Sequence, residues 1–122
     1  MELTVRDLKE LISGQSTTMP RSSLHKHMLS KMVMVRTYSA GVHFGILEEK
    51  HEQEVILTDA RRVWSWTKAA TLSQLAMEGS GDIDGYKISM PVDQILLNRV
   101  IEVIPMSKKA IQNLSGAKEW KC

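Results

Sequence analysis

From Lys31 to Tyr38 the β-branched residues Val33, Val35 and Thr37 recur with a period of two. Met32, Met34, Arg36 and Tyr38 fall on one face, and Val33, Val35 and Thr37 on the other. Strand side chains point to alternate sides, so this pattern predicts a strand over residues 31–38. Ser39-Ala40-Gly41 interrupts it as a turn, and Val42, Phe44 and Ile46 resume the alternation in a second strand. The charged run 48–53 reads as a hairpin loop. Residues 54–59 form a third strand, and 61–66 continue it or re-enter the sheet. Two further strands are predicted over 86–90 and 100–104, after a loop (79–85) with three glycines and two aspartates.

Helical spacing frames these strands. Thr4 with Asp7 resembles a capping box, Val5, Leu8, Leu11 and Ile12 share one face, and Gly14 is a stop. A second helix is predicted from Pro20 through Leu29, with Leu24 and Met28 on one side. A third covers 71–78 around Leu72, Leu75 and Ala76 and ends at Gly79. A last one is capped by Ser107, carries Ala110, Ile111 and Leu114, and ends at Gly116. The expected fold class is α+β: a small antiparallel sheet with N-terminal, middle and C-terminal helices packed against it. The expected organisation is one domain over 1–122, with a helical N-terminal region (1–30) and a sheet core with helices (31–122).

Size changes where a ligand is expected. A chain of 122 residues buries roughly two-thirds of its unfolded surface, enough for one core but not also a deep private pocket. A sizeable ligand therefore fits best at a subunit interface. The formal net charge of +2 is too small to mark a general polyanion binder, so attraction for anions must come from local clustering. Cys122 is the only cysteine, which excludes an internal disulfide framework. The first dozen residues mix acids and bases and lack the apolar core of a signal peptide, and no run is long enough to span a bilayer. A soluble cytosolic protein is the expectation.

The candidate chemistry lies between residues 35 and 66. In Arg61-Arg62-Val63-Trp64-Ser65-Trp66, a strand would direct Arg62, Trp64 and Trp66 one way and Arg61, Val63 and Ser65 the other. Arginine forks onto phosphate, and an indole stacks on a base, so the cluster suits a nucleotide. Each indole taken singly also fits a core position. Ser39-Ala40-Gly41, after Arg36-Thr37, could offer successive backbone N–H groups to an anion, or could be an ordinary hairpin turn with Gly where φ must be positive. His25, His27, His43 and His51 have no companions at zinc-ligand spacing and read as solvated or structural. Asp82 and Asp84 lack the rest of a calcium loop. No Gly-x-Ser-x-Gly and no Walker-type loop is present, and the terminal Cys122 makes a poor nucleophile. No cofactor and no metal are expected.

Three stretches carry a resemblance: VRTYSAGVHFGIL (35–47), LTDARRVWSW (57–66) and AATLSQLA (69–76), with IEVIP (101–105) and the last helix. Over roughly residues 30 to 115 the chain resembles the phage Thoeris anti-defence sponge family. The resemblance implies a protein that binds and sequesters cyclic ADP-ribose-type (glycocyclic ADP-ribose) signals made by bacterial TIR-domain enzymes, without catalysis. It implies that cyclic oligonucleotides from cGAS-like enzymes can be held at separate sites. It also implies a homodimer assembling to a homohexamer, with ligand at subunit interfaces, in the host bacterial cytoplasm. No membrane and no stable nucleic-acid partner is expected. By motif position Arg36, Thr37, Ser39, Ala40 and Gly41 would line the phosphate and ribose side, and Arg61, Arg62, Trp64 and Trp66 would supply charge and stacking. Two rival readings remain: a small enzyme cleaving such a nucleotide, which needs a general base or metal, and a phage nucleic-acid-binding regulator, which the low net charge disfavours.

Overall fold

A computed structural model of the protein describes residues 24–121. The alternating segments form an antiparallel sheet: β1 (Met32–Thr37), β2 (Val42–His51), β3 (Glu54–Ser65), β4 (Lys87–Ile88), β5 (Val92–Leu97) and β6 (Val100–Pro105). The strand order is β4-β3-β2-β1-β6, with β5 also pairing β3. Two helices, α1 (Leu72–Glu78) and α2 (Lys108–Ser115), complete the described fold. The predicted helix around residues 4–14 and the start of the one from Pro20 lie outside the described residues. Within them, the second helix is reduced to a single 3-10 turn, Lys26–Met28.

Each face of the sheet buries its own core. Met34, Phe44, Val63 and Ile88 pack with Leu75 and Ala76 of α1 and Ala110 and Leu114 of α2. Leu75 and Leu114 are fully buried there, each contributing roughly 1.5–3 kcal/mol. On the opposite face Val33, Val35, Leu47, Val55, Leu57, Ala60, Leu97 and Val100 form a second cluster. Five strands contribute to it, and among the described residues Met28, Leu29 and Ala40 pack against it from outside the strands. The alternation expected for β1 holds: Met32 and Met34 join the helix side, Val33 and Val35 the inner side.

The predicted loop at 48–53 is shorter than expected. β2 runs on to His51, and a two-residue turn, Glu52-Gln53, leads into β3. Glu48, Glu49 and Lys50 alternate at a solvent edge, where charge is compatible with strand. β3 is irregular in its middle. Phe44 pairs with Arg61, but Ile46 pairs with Thr58, so Asp59-Ala60 holds one residue more than β2 offers opposite. Asp59 takes φ +49 in this bulge. Gly45 faces it: a Cβ there would stand 2.9 Å from the Thr58 carbonyl oxygen. The bulge places Leu57 and Ala60 on the same inner face, and hence Arg61 and Val63 on the helix side.

The helix ends follow sequence expectation. Thr71 caps α1 by accepting from Gln74 N–H at 3.1 Å, and Ser107 caps α2 by accepting from Ala110 N–H at 3.1 Å. Gly79 ends α1 at φ +73. The polar loop after it is tied to α2, with Ser80 N–H donating to Tyr86 Oη at 2.8 Å and Asn113 Nδ2 donating to the Ser80 carbonyl at 2.9 Å. The segment predicted as a strand over 86–90 forms only the two-residue β4. The sequence pattern does not predict β5, because Val92, Asp93, Gln94 and Leu96 are all exposed and give no alternation. No described helix is long and apolar enough to cross a membrane.

Candidate binding site

β2 covers one edge of β3, so β5 and β4 share the other. β5 pairs with the first half, from Val55 to Ala60, and β4 with the second, at Val63 and Ser65. Where β5 gives way to β4 the surface opens into a groove of about 360 Å³. His43, Arg62, Trp64, Ser89, Met90 and Ile95 line it. A second groove of about 390 Å³ adjoins it, with Arg62 and Ile95 as shared wall and Ser39, Ala40, Asn98 and Arg99 across from them. Among the described residues neither lining contains a carboxylate.

Arg62 is the joint between the two. Its backbone N–H donates to Ser89 Oγ at 2.9 Å, and its carbonyl accepts from Ser89 N–H at 2.9 Å, which clamps the β3 edge. Its Nε donates to Nε2 of His43 at 3.0 Å. Its guanidinium carbon lies 5.4 Å from the ring centre of Trp64, within cation–π range. Among the described residues neither Nη of Arg62 has a hydrogen-bond partner, so the forked end of the side chain is free for an anion. On the far side of the second groove the Arg99 guanidinium lies 5.6 Å from the Tyr38 ring. The groove lining therefore combines an apolar, indole-walled half with a half bearing two fixed cations.

His43 is buried, at 1% exposure, directly opposite Arg62 in the strand register. Burial first, and the Arg62 charge second, pull its pKa down to about 4. A neutral ring accepting at Nε2 carries its proton on Nδ1, and that atom has no partner among the described residues. With Nε2 engaged by Arg62, His43 is not free to act as a base on a molecule in the groove.

A family model for a domain of unknown function (DUF6948) matches residues 30–114. The chain belongs to the DUF6948 family. The match spans β1 through Leu114 of α2 and includes every groove residue named above; Trp120 lies beyond it. The crystal structure of an Sm-like protein (AF-Sm2) from Archaeoglobus fulgidus is similar over 75% of this chain and 100% of that chain, with 18% identity and a TM-score of 0.44. No curated protein matches the chain.

The DUF6948 domain brings together four of the residues singled out from sequence, Ser39, Ala40, Arg62 and Trp64, and sends the other five elsewhere. Arg36 pairs with Glu102 at 3.2 Å on the exposed β1–β6 surface. Thr37 knits the turn: its hydroxyl donates to the Gly41 carbonyl at 2.9 Å and accepts from Ala40 N–H at 2.8 Å. That N–H is therefore committed within the turn, and Gly41, at φ +84, serves the turn geometry. Arg61 is buried on the helix side. Its Nε donates to the Ser89 carbonyl at 2.8 Å, and its Nη groups reach the Leu114 and Ala117 carbonyls at 3.5 and 3.1 Å. Burial lowers its pKa, with Glu119 opposing. Trp66 does not share a face with Trp64. A further irregularity between Val63 and Ser65 ends the strand, and Trp66 packs on the helix-side core with its Nε1 donating to the Ala69 carbonyl at 3.2 Å.

Sequence reasoning does not single out Arg99, Ile95, Ser89 and Met90, and it reads His43 as solvated or structural. His43 could be found only through its register opposite Arg62, and Arg99 only through the unpredicted β5 that leads to it. Among the described residues no group of three His, Cys, Asp or Glu side chains gathers to hold a metal.

Proposed function

We propose that this DUF6948 domain captures a phosphorylated nucleotide in its joined grooves and holds it without turnover. One observation carries the reading: among the described residues Arg62 has no partner for its Nη groups, and it walls two grooves that have an indole on one side, a second arginine on the other, and no described carboxylate. The ring of such a ligand belongs against Trp64, Met90 and Ile95, and its phosphates between Arg62 and Arg99. An arginine forks onto phosphate oxygens, and low local negative charge leaves the attraction unopposed. Capture rather than cleavage is favoured because His43, the titratable base beside Arg62, has its Nε2 engaged and its pKa far below neutrality.

In its finer form the ligand is a cyclic ADP-ribose-type signal, bound and sequestered in a phage-infected bacterial cytoplasm, as the resemblance to the phage Thoeris anti-defence sponge family over roughly residues 30 to 115 implies. Nanomolar capture takes about 12 kcal/mol. A preorganised arginine fork, an indole stack and several further hydrogen bonds are groups of the right kind to supply it. Val92 and Leu96, exposed on the groove rims, suit coverage by a second protomer, in line with a homodimer and a hexamer built from it. The test is calorimetry against a panel of cyclic ADP-ribose isomers, followed by heating the complex and recovering the ligand. Tight binding with intact recovery is expected. No binding of any isomer overturns the finer reading, and a cleaved product overturns capture. Sedimentation with and without ligand reads the assembly.

A further inference from the structure

Beyond the grooves, the aromatic surface does not stop at Trp64. Trp120 approaches it edge to face, with ring centres 6.0 Å apart and planes at 66°. Lys87 then lies over Trp120, its Nζ 5.4 Å from the ring centre. Cation, indole, indole, cation thus follow one another from Arg62 to Lys87. Trp120 keeps 49% of its surface exposed and Trp64 57%, so neither ring is spent on the core. The segment that bears Trp120 is nonetheless held in place: its backbone N–H donates to the Ile88 carbonyl at 2.8 Å, and Glu119 bridges to Ile88 as a short parallel pair. A half-exposed indole held through its backbone and the edge of Trp64, with a cation beside it, is a platform for a planar ring and its phosphate. Its charge complements a nucleotide for the same reason that the grooves do.

We infer that Trp120 and Lys87 form a second stacking subsite continuous with the Arg62–Trp64 groove, so that the surface takes a nucleotide bearing two bases more tightly than one bearing a single base. This rests on the groove binding nucleotides at all. The first base lies against Trp64 with its terminal phosphate at Arg62, the linking phosphate passes between the two indoles, and the second base stacks on Trp120 beside Lys87. A ligand with one ring uses the groove alone.

The experiment compares adenosine monophosphate with the linear dinucleotide of two adenosines joined by one phosphate and carrying a 5′-phosphate. Binding is read by calorimetry on the full chain, wild type and Trp120→Ala. A base–indole stack is worth about tenfold in affinity or more. Wild type is therefore expected to hold the dinucleotide at least tenfold more tightly. Trp120→Ala should bring the dinucleotide down to the mononucleotide's level and leave the mononucleotide unchanged. Trp120→Phe, which keeps a ring, should retain most of the preference, and it serves as the working variant if the alanine form does not fold. Equal wild-type affinity for the two probes overturns the inference. So does a preference that survives Trp120→Ala, or a parallel loss for both probes. Failure of wild type to bind either probe or any cyclic ADP-ribose isomer sinks the groove itself, which distinguishes the two failures.

Discussion

The Nε of Arg62 donates to Nε2 of His43 across 3.0 Å, between two residues that face each other in the β2–β3 register. This contact fixes how the arginine leaves the sheet. An arginine has five N–H donors, and using Nε on a buried partner leaves the outer fork pointing away from it. Burial chiefly keeps the histidine neutral, and the contact adds to it, because a protonated ring has nothing to accept with and would face the guanidinium charge.

That gives a pH dependence with a definite sign. His43 titrates near 6.5 when unfolded and near 4 in the native protein. Between those values the unfolded chain holds the extra proton, so stability rises with pH. The His43 contribution is complete above about pH 6.5 and is lost as pH falls toward 4. The expected loss is on the order of 2–3 kcal/mol. Urea denaturation of wild type between pH 4 and 7 should show this slope, and His43→Gln, which keeps an acceptor but cannot titrate, should flatten it. A slope unchanged in His43→Gln would place the titrating group elsewhere.

Arg62→Ala and Trp64→Ala are expected to separate binding from folding. Arg62 reaches one buried partner by its side chain and Trp64 is more than half exposed, so each truncation costs about 1 kcal/mol of stability, set by a cation–π contact and a hydrogen bond. Loss of a charge-assisted hydrogen bond to phosphate costs roughly 1.5–3 kcal/mol, or about ten- to a hundredfold in affinity. Trp66→Ala should behave in the opposite way. Its indole is half-buried on the helix-side core, so about 2 kcal/mol of stability goes while affinity stays. Calorimetry with thermal melts on the three variants checks the pattern.

The sequence made the sheet legible where β-branched or apolar residues recur at every second position. β1 sets β-branched residues at every second position, the first part of β2 alternates apolar residues, and Gly79, Ser107 and Gly116 mark helix ends. β5 was hidden because an edge strand with one buried residue in six has no period to detect. In the site, parity within Arg61-Arg62-Val63-Trp64 was readable and correctly divided Arg62 and Trp64 from Arg61 and Val63. It failed at Trp66, since strand parity ends where the strand does, and an irregularity after Val63 leaves no trace in residue type. Arg61 and Arg62 look alike as letters; only the bulge at Asp59 decides which guanidinium is buried under α2 and which faces the grooves.

Arg61 is accordingly a test of structure rather than of binding. Its guanidinium serves the carbonyls of Ser89, Leu114 and Ala117, joining β3 to the segment after β4 and to the C-terminal end of α2. A cation near the last carbonyls of a helix also opposes its dipole favourably. Arg61→Ala strands several buried acceptors and should lower stability by about 2–4 kcal/mol. Arg61→Lys should recover only part of that, because one ammonium cannot reach three carbonyls spread around a planar fork. Denaturant melts of the two variants measure it, and a loss under about 1 kcal/mol for Arg61→Ala would mean that water satisfies these carbonyls instead.

Gly45 is the position where the whole arrangement is most sensitive to a single methyl group. The β3 bulge presses its backbone against β2 there, and a Cβ on Gly45 would meet the Thr58 carbonyl oxygen at 2.9 Å and the Ala60 Cα at 3.0 Å. Both are backbone atoms of the paired strand, so neither can rotate away. Gly45→Ala must push β3 outward at the bulge, at a cost of about 1–3 kcal/mol. The displacement acts just before Ala60 and Arg62, which line the groove, so binding should weaken in a variant that alters no groove residue. At Gly41, by contrast, a Cβ would have no atom within 4 Å, and Gly41→Ala should cost only the roughly 1 kcal/mol of placing alanine at positive φ. Parallel melts and titrations of the two alanine variants test the difference. Equal, small effects on both would show that β2 and β3 are less tightly pressed together at Gly45 than the bulge geometry requires.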